Sequence, residues 1–235
     1  MTQPPPDLTV VIPAYNNAAY LTEAVESVRR QTRPPRRIVL VDDGSTDNTP
    51  DVAAALNADG AVPLDYVRQD NAGPAAAMNC GAAMAGSELI AFHSADDIWV
   101  AEKTEWQLAQ IESGAELVFG HLQNFISPEL DAAVAAGLHC PLEPMAGPSA
   151  GALLTRLQTF RKVGPLDERF QIGEFMDWYA RASDLGLKAV TLPQVVSMRR
   201  LHGRNHSLSR KSLDVGYAHV LKAVLDRRRA RSGQP

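Results

Sequence analysis

The sequence predicts an α/β fold with a mainly parallel central sheet flanked by helices. Two observations carry that reading. Short β-branched, apolar runs alternate with segments of helical periodicity, and Gly, Pro, Asn or Asp stands at nearly every junction between them.

The first run, 8–12, is β-branched and almost wholly apolar and stops at Pro13, the pattern of a strand buried on both faces of a parallel sheet. Leu21, Ala24, Val25 and Val28 then fall at helical spacing, Pro34 and Pro35 mark a turn, and 38–41 is strand-like again, which completes one βαβ unit. A second cycle comprises a short strand at 64–67, an Ala-rich helix at 74–85 and a strand at 88–92. Pro74 suits that helix's first turn and Gly86 its stop. In such sheets ligands gather at the carboxyl ends of the strands, so the polar residues just after Ile12, Val41 and Phe92 matter most.

Beyond residue 100 the order changes. A helix at 102–112 leads to a strand at 117–120, and 127–150, rich in Pro, Gly and Ala, reads as a long loop with a short helix. Helices at 155–163 and 173–185 precede strands at 188–192 and 195–198. The last helix, 213–229, places Leu213, Tyr217, Val220, Leu221 and Val224 on one face and should dock on the body. The expected organisation is a disordered tail at 1–7, a single domain at 8–212 and a C-terminal helix and tail at 213–235.

Composition narrows the function. With 45% hydrophobic and 21% charged residues and a net charge of -4, the chain reads as globular, without a general attraction to nucleic acid. Cys80 and Cys140 are too few for a disulfide framework or a four-ligand zinc site, so a reducing cytoplasm is the expected location. No stretch approaches the roughly 20 apolar residues of a membrane-spanning helix. The Arg227, Arg228, Arg229 and Arg231 cluster leaves room for a peripheral contact at the membrane's inner face, against the plainer reading of a solvated helix end.

The first strand runs into Pro13-Ala14-Tyr15-Asn16 rather than a Gly-x-Gly-x-x-Gly turn, which argues against a dinucleotide cofactor and offers no Gly-rich basic loop of the nucleotidyltransferase kind. The second runs into Asp42-Asp43-Gly44-Ser45-Thr46-Asp47. Adjacent acids at the end of a buried strand are costly unless used or compensated, and a carboxylate here can accept from a base N–H or a ribose hydroxyl. Turn chemistry explains the same residues equally well, with Asp47 capping the next helix.

Read together, 10–16 and 42–47 resemble the opening of the inverting family 2 glycosyltransferases of GT-A (Rossmann-like) fold. The resemblance continues through Asn71-Ala72-Gly73-Pro74, Ala95-Asp96-Asp97-Ile98-Trp99, Gly164-Pro165-Leu166-Asp167, Glu174-x-x-Asp177-Trp178 and His202-x-x-Asn205-x-Ser207. It implies a nucleotide-sugar half at about 8–100 and an acceptor half of helices and loops at about 101–212. It also implies transfer from a nucleoside-diphosphate sugar, with UDP favoured, to an acceptor hydroxyl of unspecified lipid, saccharide, peptide or small molecule. Pro13, Ala14, Tyr15, Asp42, Asp43, Asn71, Gly73, Met78, Ser94 and Ala95 would line the donor site. Asp96 would ligate Mn2+ or Mg2+ on the donor diphosphate, with His202 as a second ligand. Asp97, Trp99 and Trp178 would wall the sugar or acceptor. A hard cation prefers oxygen ligands, so one carboxylate, two phosphate oxygens and water make a sufficient shell.

Three positions depart from the family's pattern. Phe175 stands where the usual base lies, which leaves Glu174 or Asp177, three apart on one helix face, to take the acceptor's proton. Asp177 is favoured because Asp177-Trp178 is intact, and its alternative is an i, i+4 ion pair with Arg181. Met78 replaces an Arg and Ser94 an Asp, so weaker donor or metal binding, or a different base preference, is expected, and a degenerate relative that binds nucleotide or sugar without turnover is the alternative function. His93 reads as structural.

Overall fold

The computed structural model describes residues 4–58, 60–138, 140–203, 205 and 210–233, with backbone alone at 210–215 and 232. Ser207, the last residue of the His202 motif, and Met1 to Gln3 of the expected tail lie outside the described residues.

The two βαβ cycles form where the periodicity puts them. β1 (Leu8–Ala14), β2 (Arg37–Asp42), β3 (Leu64–Arg68) and β4 (Leu89–Phe92) make a parallel block in the order β3-β2-β1-β4. Leu8, Val10, Val11, Ile38, Leu40 and Ile90 are all fully buried. Helices α1 (Leu21–Arg29), α2 (Thr49–Ala58) and α3 (Pro74–Met84) cover this block. Asp47 caps α2 as expected, accepting from the Thr49 N–H at 2.9 Å.

The second half turns the sheet mixed. A two-residue strand, β5 (Ile98–Trp99), precedes α4 (Lys103–Glu112) and β6 (Leu117–Ile126). Then come α5 (Ala132–Gly137), a 3-10 turn (Ala150–Ala152), β7 (Leu154–Arg156), α6 (Leu157–Val163), α7 (Glu174–Asp184), β8 (Ala189–Leu201) and α8 (Arg210–Ser232). The full order is β3-β2-β1-β4-β7-β6-β8-β5, with β7 antiparallel to both neighbours and β5 antiparallel to β8. The parallel character predicted for the sheet therefore holds for the first four strands and for β6 with β8.

Three elements differ from expectation for local reasons. β7 takes the start of the helix expected at 155–163, because three residues are too few to show a period and their partners, Leu89–Ala91 and Leu117–Val118, lie far away in sequence. The two strands expected at 188–192 and 195–198 are one. Pro193 has no N–H to donate, and pairing passes from Thr191 with Phe119 to Val195 with His121 without ending the strand. Among the described side chains of α8 Val220 and Val224 are buried, whereas Tyr217 and Leu221 are exposed; this part docks along an edge rather than the whole expected face, and the Leu213 side chain lies outside what is described.

The C-terminal Arg cluster serves that docking. Arg227 pairs with Asp177 of α7 at 2.6 Å, and Arg228 with Asp184 at 2.8 Å, with Arg231 3.6 Å from the same carboxylate. These charges latch α8 to α7, so the membrane role considered for them has no support in the structure. No helix among the described residues is long and apolar enough to cross a membrane.

Candidate functional site

The residues singled out at the ends of β1, β2 and β4 meet along one edge of the sheet. Ala14 is level with Asp42 on one side of β1 and Val11 with Phe92 on the other, so the segments after β2 and β4 flank the end of β1. Two strand spacings put the strand ends about 10 Å apart.

On the β2 side Asp43 organises the wall. It is buried, and its Oδ1 accepts from Gln69 Nε2 at 2.8 Å and the Ala72 N–H at 2.9 Å, while Oδ2 accepts from the Gly73 N–H at 2.8 Å. Asn71 Nδ2 donates to the Asp43 carbonyl at 2.9 Å. A carboxylate offers about four acceptor positions, so one remains for a ligand N–H or O–H. Gly44 (φ +77°) lets this turn approach the 69–73 loop, since a Cβ there would lie 2.9 Å from the Asn71 nitrogen. Gly73 (φ +93°) in turn abuts Gln171, which brings the approach to α7 against the same loop.

Asp42 is a correction. Successive strand residues face opposite ways, and this fully buried carboxylate accepts from the Ser45 N–H (2.8 Å), the Tyr66 hydroxyl (2.8 Å) and Arg68 Nη1 (3.2 Å). It braces the turn from behind and does not line a donor site. Met78 is a second correction, because α3 turns it into the core, where a cation could not follow without a partner. Pro13 and Ala14 end β1, and Tyr15 is half exposed beside them. Asn16 (φ 55°) staples the β1 and β2 loops together, its Oδ1 accepting from the N–H groups of Thr46 (2.8 Å) and Asp47 (3.2 Å).

On the β4 side Asp96 is partly exposed, with Oδ2 3.1 Å from His202 Nε2 and 3.4 Å from Asn205 Nδ2. His202 Nδ1 is buried without a hydrogen-bond partner. Among the described residues no group of three or more His, Cys, Asp or Glu converges. Asp96 and His202 therefore fit a cation only as a partial donor set that phosphate oxygens and water would complete. Ser94 and the buried Ala95 lead into this acid, and Asn205, which also caps the His202 N–H at 2.8 Å, holds the returning loop.

Sequence patterns missed what carries Asp96. Arg200 of β8 is buried, donates from Nε to the Asp96 carbonyl (3.0 Å), from its backbone N–H to Asp97 Oδ1 (3.0 Å) and from Nη1 to Ser127 Oγ (3.2 Å), and pairs with Glu23. Its guanidinium lies between the rings of Tyr20 (4.9 Å) and Phe125 (4.8 Å). No local signal marks it, because its partners come from α1, β6 and the β4 loop. Burial first, and then the charge of Asp96, push Asp97 up to about 7. Asp97 faces Arg200 and packs inside, so its expected place on the sugar or acceptor wall is not where the structure puts it.

The tryptophans are corrections too. Trp178 is fully buried, stacked on Phe160 (5.2 Å) and Phe175 (5.6 Å), and donates from Nε1 to the Gly164 carbonyl at 2.9 Å. Trp99 packs on His93 at 4.9 Å. Both fill the core, where their area is worth most. Phe175 joins the same stack, so the residue at the usual base position is a packing residue. Asp177 is buried between Arg181 Nε (3.0 Å) and Arg227 Nη2 (2.6 Å). It is the ion pair that its spacing from Arg181 offered as the alternative, and it has no open face for an acceptor. Glu174, half-buried, opens α7 three residues after Gln171.

His93 is structural, as expected: burial pushes it down to about 3, and its Nε2 lies 3.4 Å from Ser27 Oγ. It stays neutral in the folded chain while the unfolded chain takes up a proton below about 6.5, so this group's stabilisation is complete above that pH and is lost as pH falls toward 3. Asp97, raised in the fold, works with the opposite sign over an overlapping window. A variant separates the two. His93→Phe should gain about 2 kcal/mol relative to the parent chain between pH 7 and pH 5, measured by urea denaturation at both. An unchanged difference would place a protonated imidazole in the folded state.

Comparison with known proteins agrees with this fold. Residues 9–136 match the family model described as Glycosyl transferase family 2. An uncharacterized glycosyltransferase of Nostoc sp. is 30% identical over 219 residues, covering 87% of this chain and 68% of its own length. Glycosyltransferase GlyG of Streptococcus pneumoniae is 38% identical over 121 residues, covering 50% of this chain and 40% of its own. Among solved structures, S. aureus TarS in complex with UDP-GlcNAc superposes with a TM-score of 0.73 at 18% identity over 92% of this chain and 65% of TarS. Mannosyltransferase PcManGT from Pyrobaculum calidifontis, in complex with GDP-Man and Mn2+, gives 0.70 at 18% identity over 96% of this chain and 66% of its own. The chain thus spans only part of each of these proteins.

Proposed function

Since the chain belongs to glycosyl transferase family 2, a family of glycosyltransferases, we propose that it transfers a sugar from a nucleoside-diphosphate donor to an acceptor hydroxyl, metal-assisted and with inversion, with UDP favoured as the nucleotide. The observation that carries the donor reading is the pair of walls beside β1: Asp43 with Asn71 and Gly73 on one side, Ser94 with Asp96 and His202 on the other.

In this reading the nucleoside lies on the β2 side. Asp43 uses its remaining acceptor position for a base N–H, Asn71 and Gly73 shape the loop beneath, and Pro13, Ala14 and Tyr15 form the floor. Asp96 and His202 would hold Mn2+ or Mg2+. Bound there, the ion would neutralise charge that develops on the departing diphosphate. Ser94 supplies a hydroxyl but no charge, which makes binding of the cation depend on the donor's own phosphates. Glu174 takes the acceptor's proton. It is the carboxylate left at the start of α7 once Asp177 is committed to Arg181 and Arg227, and Gln171, three residues before it, packs against Gly73 of the donor loop. A base on the side of the sugar opposite the leaving group gives direct displacement, hence inversion.

The neighbours differ in nucleotide, UDP-GlcNAc in TarS and GDP-Man in PcManGT, so the base is a matter for measurement. A thermal-shift panel of UDP-, GDP- and dTDP-sugars with and without Mn2+ is expected to show stabilisation by one nucleotide that requires the metal. Stabilisation by none of them in either condition would defeat the reading. Binding without hydrolysis or transfer would favour a nucleotide-binding relative that has lost turnover, the reading that Phe175 and Ser94 motivate.

A further inference from the structure

The donor reading leaves one buried ionisable group without a task. Lys103, the first residue of α4, is fully buried, and what surrounds its amine is neutral and electron-rich. Nζ donates to Gln107 Oε1 at 2.5 Å and to the Ala152 carbonyl at 3.3 Å, and lies 4.5 Å from the centre of the Trp99 ring. Among the described residues it has no ion pair. Burial alone holds it well below the usual lysine range. A Leu or Met would occupy such a site without the desolvation cost, so the amine is kept for its hydrogen bonds.

Those bonds converge on one backbone oxygen. Gln107, one turn further along α4, donates from Nε2 to the same Ala152 carbonyl at 2.7 Å and to the Val118 carbonyl at 3.0 Å. Ala152 ends the 3-10 turn, and the middle residue of that turn, Gly151, stands beside the donor wall. A Cβ on Gly151 would lie 3.9 Å from both Ser94 Oγ and Ser149 Oγ. The turn held by α4 therefore sets a second hydroxyl next to Ser94, two residues before Asp96, on the side of the cleft away from Asp43. That is the diphosphate and sugar end, not the nucleoside end.

We propose that Lys103 and Gln107 are positioning residues for the sugar end of the donor site, fixing the Ser149–Ala152 backbone so that the Ser149 and Ser94 hydroxyls face the transferred sugar, a role that rests on the donor reading above. A turn displaced by even 1 Å would lose hydroxyl contacts to the sugar while leaving the nucleoside contacts of Asp43 and Asn71 intact.

The test is calorimetric titration, in Mn2+, of UDP, GDP, UDP-GlcNAc and GDP-mannose into the parent chain, Lys103→Met and Gly151→Ala. Lys103→Met keeps the volume and removes the donor. It is expected to weaken the sugar nucleotide that binds by about tenfold while the matching nucleoside diphosphate stays within about twofold. Equal affinities in parent and variant, or equal weakening of both ligands, overturns the inference and leaves the donor reading standing. If the parent chain binds none of the four, and neither dTDP nor a dTDP-sugar titrated in their place, the donor reading falls and the inference with it. Should Lys103→Met fail to fold, Gly151→Ala decides, because its methyl meets its neighbours at ordinary contact distance and spares the fold, yet stands against both hydroxyls where the sugar would reach them. The same selective loss of the sugar nucleotide is expected there, and an unchanged ratio overturns the proposal.

Discussion

Asp96→Ala is expected to lower kcat/KM by about a thousandfold and to abolish the effect of Mn2+ on donor binding. The reasoning starts from how little else could replace this carboxylate. Its Oδ2 is the oxygen to which His202 Nε2 (3.1 Å) and Asn205 Nδ2 (3.4 Å) both point, and no further His, Cys, Asp or Glu converges there among the described residues. Its neighbour Asp97 is turned inward and accepts from the Arg200 N–H. The loss should come with little change in fold, since Arg200 grips the Asp96 carbonyl rather than its side chain, and an alanine keeps that carbonyl. Metal-free nucleotide affinity should be almost unchanged, because Asp43 and the 69–73 loop stand on the other side of β1. A variant that keeps its activity, or that loses nucleotide binding equally with and without Mn2+, would remove Asp96 from the metal's role. Asp96→Asn adds a finer comparison: an amide oxygen is a weaker partner for a hard cation, so its loss should be smaller and partly restored by raised Mn2+.

How far the sequence reveals this site depends on the distance over which each contact is made. The first four strands and the helices α1 and α3 were legible because a buried strand and a helix each show their pattern within a dozen residues, whereas α2 was announced only by its Asp47 cap. The rule that ligands gather at carboxyl ends of strands then pointed to the segments after β2 and β4, and the resemblance to family 2 picked Asp43 and Asp96 within them. Direction was harder. Asp42 and Asp43 are indistinguishable in composition, and only the pleat decides that one braces Tyr66 and Arg68 from behind while the other holds the 69–73 loop. Side chains that act at a distance were invisible. Arg200 reaches Asp96 and Asp97 from more than a hundred positions away, and Lys103 reaches Ala152 across 49. The aromatic residues misled for a related reason: a Trp next to an acid looks the same in sequence whether it walls a sugar or, like Trp178, fills the core between Phe160 and Phe175.

Asp177→Asn should separate structure from chemistry at the start of α7, and it should do so through stability. The carboxylate is buried and joins two cations. Arg181 Nε lies 3.0 Å from Oδ2 and Arg227 Nη2 lies 2.6 Å from Oδ1. Arg181 carries this anchor onward, donating to the carbonyls of Val163 (2.8 Å) and Pro165 (2.6 Å), so one acid ties α6, α7 and α8 together. An amide of the same size offers one acceptor oxygen where the carboxylate offers two, and it turns an NH2 toward the other guanidinium. Both arginines keep some access to water, which relieves part of the cost, so a loss of about 3 kcal/mol and a Tm lower by roughly 10 °C are expected. Turnover measured well below the new Tm should stay within about twofold of the parent chain. Glu174→Gln should behave in the opposite way, with Tm within about 2 °C and kcat lower by about a hundredfold, the effect of removing a general base. If Asp177→Asn instead stays stable and loses turnover, the proton belongs to Asp177 and the ion pairs around it open during the reaction. That outcome would make α8, through Arg227, part of the catalytic cycle rather than a latch on the fold.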